Sequence, residues 1–224
     1  MTNAAKAIIF DFGGVISRTL FETHAQTEAT LGLSPGSLTW RGPFDPASDP
    51  LWQDMQADRI SERDYWYART RELGEMVGQT WTALSDLVTS VRGDAPSEVI
   101  RPEFLDTIAA ARAQGVRLAL LSNELDLFYG TAFRDKLPFL KDFEVIVDAT
   151  YTGILKPDPR AYRLVLDQLG LAAEECVFVD DQDLNIRGAQ AVGLRTVTFD
   201  VTDPAGSYAR VRAAGGITTE GASA

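Results

Sequence analysis

Short apolar runs recur along the chain and predict a set of buried strands. They cover residues 7–10, 117–121, 143–147, 176–179 and 196–199, and are rich in Val, Ile, Leu and Phe. Apolar residues dominate four of these runs without regular alternation, and in residues 196–199 Val and Phe alternate with Thr. Such runs are typical of strands that are covered on both faces of a parallel sheet.

Amphipathic segments separate most of these runs and predict helices. Apolar side chains recur at helical spacing in residues 103–114, 159–169 and 185–192, and a glycine that can end a helix follows each segment. Strands that alternate with helices indicate an α/β fold. We therefore predict a Rossmann-like parallel sheet with helices on both faces.

One long region between the first two predicted strands lacks a strand pattern. Residues 20–31, 51–57, 61–73 and 79–91 have helical patterns instead, and Ser61 is suited to cap the third of these helices. The region is too long for an ordinary crossover connection. We predict that residues 18–94 form an inserted α-helical cap subdomain, and that residues 1–17 and 95–224 form the sheet core.

Composition and charge narrow the class of protein. Of the 224 residues, 45% are hydrophobic and 24% are charged, which is ordinary for a soluble globular chain. The net charge of -11 argues against a partner that is a nucleic acid or an anionic membrane. A single cysteine excludes an internal disulfide. We find no long apolar segment and expect a cytoplasmic protein.

Polar residues with related chemistry follow four of the predicted strands. Asp11 follows the first strand, Ser122 the second, Lys156 the third, and Asp180 and Asp181 the fourth. The carboxyl ends of parallel strands share one edge of a sheet, where chemistry occurs in open α/β folds. Phosphoryl transfer uses a carboxylate nucleophile, hydroxyl and N–H donors, a lysine, and acids that hold Mg²⁺. The combination predicts such a site at this edge.

The same four segments resemble the motifs of the haloacid dehalogenase-like hydrolase (HAD) superfamily. They are Phe10-Asp11-Phe12-Gly13-Gly14-Val15, Leu121-Ser122-Asn123, Leu155-Lys156-Pro157, and the stretch from Val177 to Asn185. The predicted helical insert matches the cap that this superfamily carries after its first motif. The pattern is most similar to a bacterial subfamily that includes α-glucose-1-phosphate phosphatases.

The resemblance implies a role for each motif residue. Asp11 would be the nucleophile and form an aspartyl phosphate, with Lys156 as the second catalytic residue. Phosphate would be bound by Phe12, Gly13, Ser122, Asn123 and Lys156; Mg²⁺ by Asp11, the Gly13 carbonyl and Asp181; and Asp180 and Asn185 would support the metal site. The implied partner is a small phosphorylated metabolite, such as a sugar phosphate, acted on by a monomer or homodimer.

Gly13 departs from the pattern of the superfamily. Most of its phosphatases carry a second Asp at this position, which protonates the leaving group. General acid–base catalysis contributes about 10²–10⁴-fold to a rate. Three explanations stay open: a substrate with a good leaving group, a proton supplied by Glu22, His24 or Asp45 of the insert, or a weakly active or non-catalytic binding protein.

Metal-independent 2-haloacid dehalogenation is the alternative chemistry that the resemblance offers. It also uses an Asp nucleophile, and it is compatible with Gly13 because dehalogenases lack the second Asp. The adjacent acids Asp180 and Asp181 argue against it, since they favour a bound cation. Phe12 also stands where those dehalogenases place a hydroxyl residue.

Overall fold

A five-stranded parallel sheet organises the part of the chain that the computed structural model describes, residues 4–92, 96–130 and 132–218. Its strands are β1 (Ala7–Phe10), β2 (Arg117–Ser122), β3 (Val145–Asp148), β4 (Cys176–Asp180) and β5 (Arg195–Thr198). Their order is β3-β2-β1-β4-β5, and every neighbouring pair is parallel. The predicted α/β fold with a parallel sheet is confirmed. β3 begins two residues later than predicted, because Phe143 ends a 3₁₀ turn and packs against Phe104 instead.

Helices make up most of the remaining structure. They are α1 (His24–Leu31), α2 (Pro50–Gln56), α3 (Glu62–Met76), α4 (Leu84–Arg92), α5 (Pro102–Ala113), α6 (Leu125–Tyr129), α7 (Ala132–Asp135), α8 (Ala149–Thr152), α9 (Pro159–Leu169), α10 (Asp183–Ala191) and α11 (Pro204–Gly215). Short 3₁₀ turns occupy Gly42–Phe44, Pro46–Ser48, Pro96–Val99, Pro138–Asp142 and Ala173–Glu175.

Alternate residues of each strand face opposite sides of the sheet, and helices cover both sides. Ile9 and Phe178 belong to a buried cluster with side chains of α9 and α10. On the other side, the ring of Phe10 packs edge-on against Phe104 of α5, at 5.5 Å between centroids. The side chain of Ile8 lies against Gly215 of α11. This two-sided burial explains why the inner strands β1, β2 and β4 are apolar at nearly every position, whereas the edge strand β5 is not.

The chain divides into two compact units. One holds the sheet and contains residues 4–18, 99–125 and 137–218; the other is helical and contains residues 19–92, 96–98, 126–130 and 132–136. The predicted boundary between residues 94 and 95 lies outside the described residues. Assigning residues 126–130 and 132–136 to the sheet core was wrong, because Phe128 packs against Trp66 of the helical unit, with ring centroids 5.6 Å apart.

Local hydrogen bonds shorten two of the predicted helices of this unit. α1 begins at His24 and not at residue 20, because the Glu22 carboxylate accepts hydrogen bonds from the Thr19 N–H and hydroxyl and holds a turn there. α4 begins at Leu84 and not at residue 79, because the Asp86 carboxylate accepts from the N–H groups of residues 82 and 83. The predicted serine cap is present: Ser61 forms a capping box at the start of α3.

A buried carboxylate joins the elements of the helical unit. Asp49, which is fully buried, caps α2 by accepting from the Trp52 N–H at 3.0 Å. It also accepts from the Tyr65 hydroxyl at 2.7 Å and from the Arg69 guanidinium at 2.5 Å, both on α3. The Gly42 N–H is a fourth donor at 3.2 Å. One side chain therefore satisfies donors from three parts of the unit.

Replacing Asp49 by Ala is expected to destabilise the helical unit by about 3–5 kcal/mol, since it leaves the buried Arg69 without this carboxylate. Urea unfolding followed by tryptophan fluorescence measures this, because all four tryptophans lie in this unit. The matched control is Asp54→Ala, which removes an exposed pair with Arg59 and should cost no more than about 1 kcal/mol. Equal losses in the two variants would contradict the role given to Asp49.

Candidate active site

The carboxyl edge of the sheet gathers the charged residues that the sequence singled out. Asp11 directly follows β1, Ser122 ends β2 and Asp180 ends β4. The register aligns Phe10 with Val179, so Asp11 and Asp180 follow at the same level of neighbouring strands. Lys156 comes from the loop after β3 and α8. Strand pairing thus brings together residues that are far apart in sequence.

The centre of this edge is a buried lysine that bridges two carboxylates. The Lys156 Nζ lies 2.5 Å from Asp11 Oδ1 and 2.7 Å from Asp180 Oδ2. The side chains of Lys156 and Asp180 are 1% and 0% exposed, whereas that of Asp11 keeps 13% of its surface open. Asp11 is therefore the member of the trio that a ligand can reach.

Burial and charge shift the pKa values of this trio. Burial raises the pKa of the Asp11 carboxyl to about 6, against the opposing effect of the Lys156 ammonium. Burial alone would lower the pKa of Lys156, but the two carboxylates hold it above its ordinary value. Lys156 is therefore a fixed positive charge at neutral pH beside a carboxylate that is largely ionised.

The adjacent acids Asp180 and Asp181 have separate surroundings. Asp180 accepts hydrogen bonds from the Gln182 N–H at 2.8 Å and from the Asn185 amide at 3.1 and 3.2 Å, besides its contact with Lys156. The Tyr162 hydroxyl donates to the Asn185 carbonyl at 2.7 Å and so supports that residue. The contacts of Asp180 and Asn185 thus serve to orient Lys156, and Asp181 is half-buried beside the glycine loop.

The Asn123 side chain holds the loop that carries Lys156. Its Oδ1 accepts from the Lys156 N–H at 2.7 Å, and its Nδ2 donates to the Lys156 carbonyl at 3.2 Å. Neighbouring Ser122 is buried, and its hydroxyl oxygen accepts a long hydrogen bond of 3.4 Å from the Glu124 N–H. This two-way bond was not predicted from the sequence, which assigned Asn123 to phosphate binding.

The loop after Asp11 has two glycines with different surroundings. Gly14 has a φ of +75°, and a Cβ built there would lie 2.6 Å from Asp181 Oδ2, so only glycine fits. A Cβ at Gly13 would meet no atom within 4 Å. The Phe12 side chain is 1% exposed, so only its backbone can contribute to phosphate binding; its N–H interacts with the Asp11 carboxyl.

The oxygen atoms beside this loop are suited to some metal ions and not to others. The described residues contain no group of three or more His, Cys, Asp or Glu side chains that could hold a metal by themselves. Asp11 and Asp181 are both hard oxygen donors at this edge. Mg²⁺ is commonly bound through one or two carboxylates and keeps several waters. The carboxylates of Asp11 and Asp181, together with the Gly13 carbonyl, therefore suit Mg²⁺ better than a metal that prefers nitrogen or sulfur ligands.

The candidate proton donors of the insert have their own contacts within the helical unit. Burial, followed by the nearby Arg41, lowers the pKa of His24 to about 4, so its imidazole is neutral at pH 7. Glu22 is engaged by Thr19 through two hydrogen bonds. Asp45 is exposed. Glu22 is thus explained by the turn before α1, whereas the His24 Nε2 is buried and has no hydrogen-bond partner among the described residues.

Two buried side chains outside the four motif segments contact the glycine loop. The Arg101 Nε donates to the Gly14 carbonyl at 3.0 Å, and the Tyr208 hydroxyl donates to the Val15 carbonyl at 2.8 Å. The sequence contains no signal for either contact, because each donor lies far along the chain from its acceptor.

Known proteins with similar sequences indicate the family to which the chain belongs. A family model described as haloacid dehalogenase-like hydrolase matches residues 5–193. The chain is 36% identical over 196 residues to acyl-CoA dehydrogenase family member 10 of Mus musculus. The aligned segment covers 87% of this chain but only 18% of that protein. It is 26% identical over 198 residues to a phosphatase of Mycobacterium tuberculosis, covering 87% of each chain.

Solved structures agree on the fold. The crystal structure of a dehalogenase aligns with a TM-score of 0.62 at 20% identity, covering 89% of this chain and 87% of the other. A likeness at this level of identity shows the fold and not the reaction. Among the described residues, no helix is both long enough and apolar enough to cross a membrane.

Proposed function

The chain belongs to the haloacid dehalogenase-like hydrolases, and we propose that it is a Mg²⁺-dependent phosphatase of small phosphorylated metabolites. The observation that carries the proposal is the contact of Lys156 with both Asp11 and Asp180 at the carboxyl edge of the sheet. A nucleophilic carboxylate that is partly open and held by a fixed cation suits the displacement of a phosphoryl group. The phosphatase from Mycobacterium tuberculosis among the relatives supports the same reaction.

Asp11 would perform the first chemical step. Lys156 bonds its Oδ1, so the other carboxylate oxygen attacks phosphorus while the bond from phosphorus to the ester oxygen breaks. The product is an aspartyl phosphate on Asp11 and a free alcohol, once the leaving oxygen gains a proton. Water then attacks the phosphorus, which releases inorganic phosphate and restores the carboxylate. Lys156 offsets the negative charge that gathers around Asp11 during both steps.

Asp11, Asp181 and the Gly13 carbonyl would hold the metal ion. When bound, Mg²⁺ would neutralise part of the negative charge of the phosphate and orient the phosphoryl group. The Gly13 carbonyl accepts no hydrogen bond from the residues that the structure describes. Phosphate itself would be held by the N–H groups of Phe12, Gly13 and Asn123, together with Ser122 and Lys156.

The absence of an acid at Gly13 limits the substrates that we propose. Without a side chain there, the leaving oxygen must depart with little help, which favours substrates whose leaving group is already stable as an anion. A sugar phosphate esterified at the anomeric carbon meets this requirement. We propose that the enzyme acts in the cytoplasm as a monomer or homodimer.

Gly13→Asp is expected to raise activity on simple alkyl phosphates by on the order of 10-fold or more, because it supplies the missing general acid. The gain on p-nitrophenyl phosphate should be much smaller, since that leaving group needs no proton. The open space around the Gly13 Cβ position allows the substitution without a clash. The ratio of kcat/KM for the two substrates is the measurement.

Gly13→Asn is the matched control for this prediction, because it has nearly the same size but cannot transfer a proton. We expect it to leave the ratio of the two substrates unchanged. Equal gains for Asp and Asn, or equal gains on both substrates, would count against a missing proton donor as the cause.

Phosphate release from a panel of phosphomonoesters, with Mg²⁺ and with a chelator, tests the proposed function. We expect Mg²⁺-dependent release that is greatest for sugar phosphates with an anomeric leaving group. Inactivity across the panel would refute the proposal. Halide release from 2-chloropropionate in the presence of the chelator would instead identify the metal-independent dehalogenase.

A further inference from the structure

Two buried donors from distant parts of the chain hold consecutive carbonyls of the glycine loop. Arg101, which is 2% exposed, precedes α5 and lies 87 residues along the chain from Gly14. Tyr208 of α11 is fully buried and lies 193 residues from Val15. Neither side chain belongs to the motifs that carry the proposed chemistry. What the two side chains share is that both donate to backbone carbonyls in the segment that follows Asp11.

Both donors contact Phe199, the residue that directly follows β5, and β5 is the neighbour of the strand that ends at Asp180. The Arg101 guanidinium lies 5.4 Å from the centroid of the Phe199 ring, and the ring of Tyr208 lies 5.1 Å from the same ring. The Phe199 N–H donates to the Asp180 carbonyl at 2.9 Å. The loop after β1 is thus connected through Phe199 to the end of β4.

Described residues donate hydrogen bonds to three of the four consecutive carbonyls of residues 12–15. The Phe12 carbonyl accepts from the N–H groups of residues 16 and 17, at 2.9 and 3.0 Å. Arg101 and Tyr208 hold the carbonyls of Gly14 and Val15. Within the described part of the chain, Gly13 is therefore the member of this run of four whose carbonyl is not engaged. Because each peptide is planar, fixing the neighbours on both sides restricts how the Gly13 carbonyl can turn.

The position of Gly14 also bears on Asp181. The space that a Cβ would occupy at Gly14 is taken by the Asp181 carboxylate. A shift of the Gly14 backbone would therefore displace the Asp181 carboxylate or remove the surface against which it packs. Two of the three proposed metal donors, the Gly13 carbonyl and Asp181, depend on how the Gly14 carbonyl is held.

We propose that Arg101 is a positioning residue, assisted by Tyr208, that holds the Gly13 carbonyl and the Asp181 carboxylate in the arrangement that Mg²⁺ binding requires. The inference rests on the proposed function, because it assigns these two groups to the metal. Arginine suits this task because it stays charged at any ordinary pH and its Nε–H has a fixed direction. A purely structural role would change the stability of the folded chain and leave the Mg²⁺ affinity of the folded fraction unchanged.

Calorimetric titration of the full chain with Mg²⁺ alone tests the inference, with kcat and KM measured on the same preparations. The test variants are Tyr208→Phe, Arg101→Met and Arg101→Lys. Groups that orient metal ligands typically change metal affinity or activity by about 10–100-fold when removed, so we expect Arg101→Met to weaken Mg²⁺ binding by about tenfold. Its kcat should fall while the KM for substrate stays nearly constant, and Arg101→Lys should recover part of the loss.

Arg117→Met is the matched control. Arg117 also donates to a backbone carbonyl, that of Leu169 at 2.7 Å, but it begins β2 at the opposite edge of the sheet. We expect its Mg²⁺ affinity to equal that of the wild type. If Arg101→Met does not fold, Tyr208→Phe decides, because it removes one hydroxyl and keeps the buried ring.

The possible failures are distinct. Wild-type Mg²⁺ affinity in folded Tyr208→Phe and Arg101→Met would overturn the positioning role and leave the proposed phosphatase intact. A wild-type protein that binds Mg²⁺ but releases no phosphate would refute the proposed function, and the titration of the variants would still decide the role of Arg101. A wild-type protein that binds no Mg²⁺ would overturn the inference.

Discussion

Replacing Asp11 by Asn is expected to lower phosphate release by roughly 10⁴-fold or more, which is the scale seen when a covalent nucleophile is removed. The amide has nearly the same shape as the carboxylate, but its oxygen is a poor nucleophile toward phosphorus. The fold should survive, because Lys156 keeps its contact with Asp180 at 2.7 Å. The loss should therefore appear in kcat, with circular dichroism and the unfolding midpoint close to those of the wild type.

The measurement is the rate of phosphate release at saturating substrate and Mg²⁺. Asp183→Asn is the matched control, since it makes the same substitution at an exposed acid two residues after Asp181. We expect this control to retain the wild-type rate. Full activity in Asp11→Asn would remove Asp11 from the mechanism and with it the proposed aspartyl phosphate.

Replacing Lys156 by Met is expected to abolish activity and to destabilise the sheet unit by about 3–5 kcal/mol, the usual cost of removing one partner from a buried ion pair. The substitution leaves Asp11 and Asp180 facing each other in a buried space without a cation. Burial already raises the pKa of the Asp11 carboxyl, and loss of the opposing Lys156 ammonium raises it further, so the native state takes up a proton. Between the unfolded and the raised native pKa the native state then binds more protons, so the variant loses stability as the pH rises.

Urea unfolding at several pH values, with a chelator present, measures this effect. The stability difference from the wild type should be smallest at acidic pH and should grow toward neutral pH. Lys141→Met is the control, because Lys141 is exposed, and it should change stability by no more than about 0.5 kcal/mol. A difference that stays constant with pH, or a stable variant that is fully active, would contradict the role of Lys156 as the shared cation.

Those parts of the fold that depend on local pattern were predictable from the sequence. β1 and α9 both have the predicted bounds. The apolar run of a strand and the helical spacing of a helix each reflect burial of that one element. The same apolar pattern also predicted where the strands end, and therefore that Asp11 and Asp180 lie at strand ends. Proximity of these two residues could be expected from parallel pairing alone, before any side-chain contact was known.

Other features depend on contacts between distant segments and had no local signature. α11, with the sequence PAGSYARVRAAG, has too few large apolar residues for a clear helical pattern, yet Tyr208 within it reaches the Val15 carbonyl. Residues 126–130 and 132–136 join the helical unit, where Phe128 packs against Trp66 from a distant part of the sequence. Asp49 likewise lies in a stretch that resembles a loop, and its partners on α3 are 16 and 20 residues away.

The acid pair after β4 illustrates the limit most clearly. Repulsion between the adjacent carboxylates favoured a bound cation beside the pair, and in the structure the ammonium of Lys156 lies 2.7 Å from Asp180. The pattern could not tell which acid would face Lys156 and which would lie beside the glycine loop. The Asn185 amide and the Gln182 N–H, which both donate to Asp180, fix that division.

Mass spectrometry of the acid-quenched enzyme during turnover of a phosphomonoester with Mg²⁺ tests the central claim most directly. We predict a phosphoryl group on the peptide that contains Asp11, which disappears as substrate is exhausted and is absent from Asp11→Asn. Steady phosphate release with no phosphoryl group on that peptide, or with one on a different residue, would contradict the account.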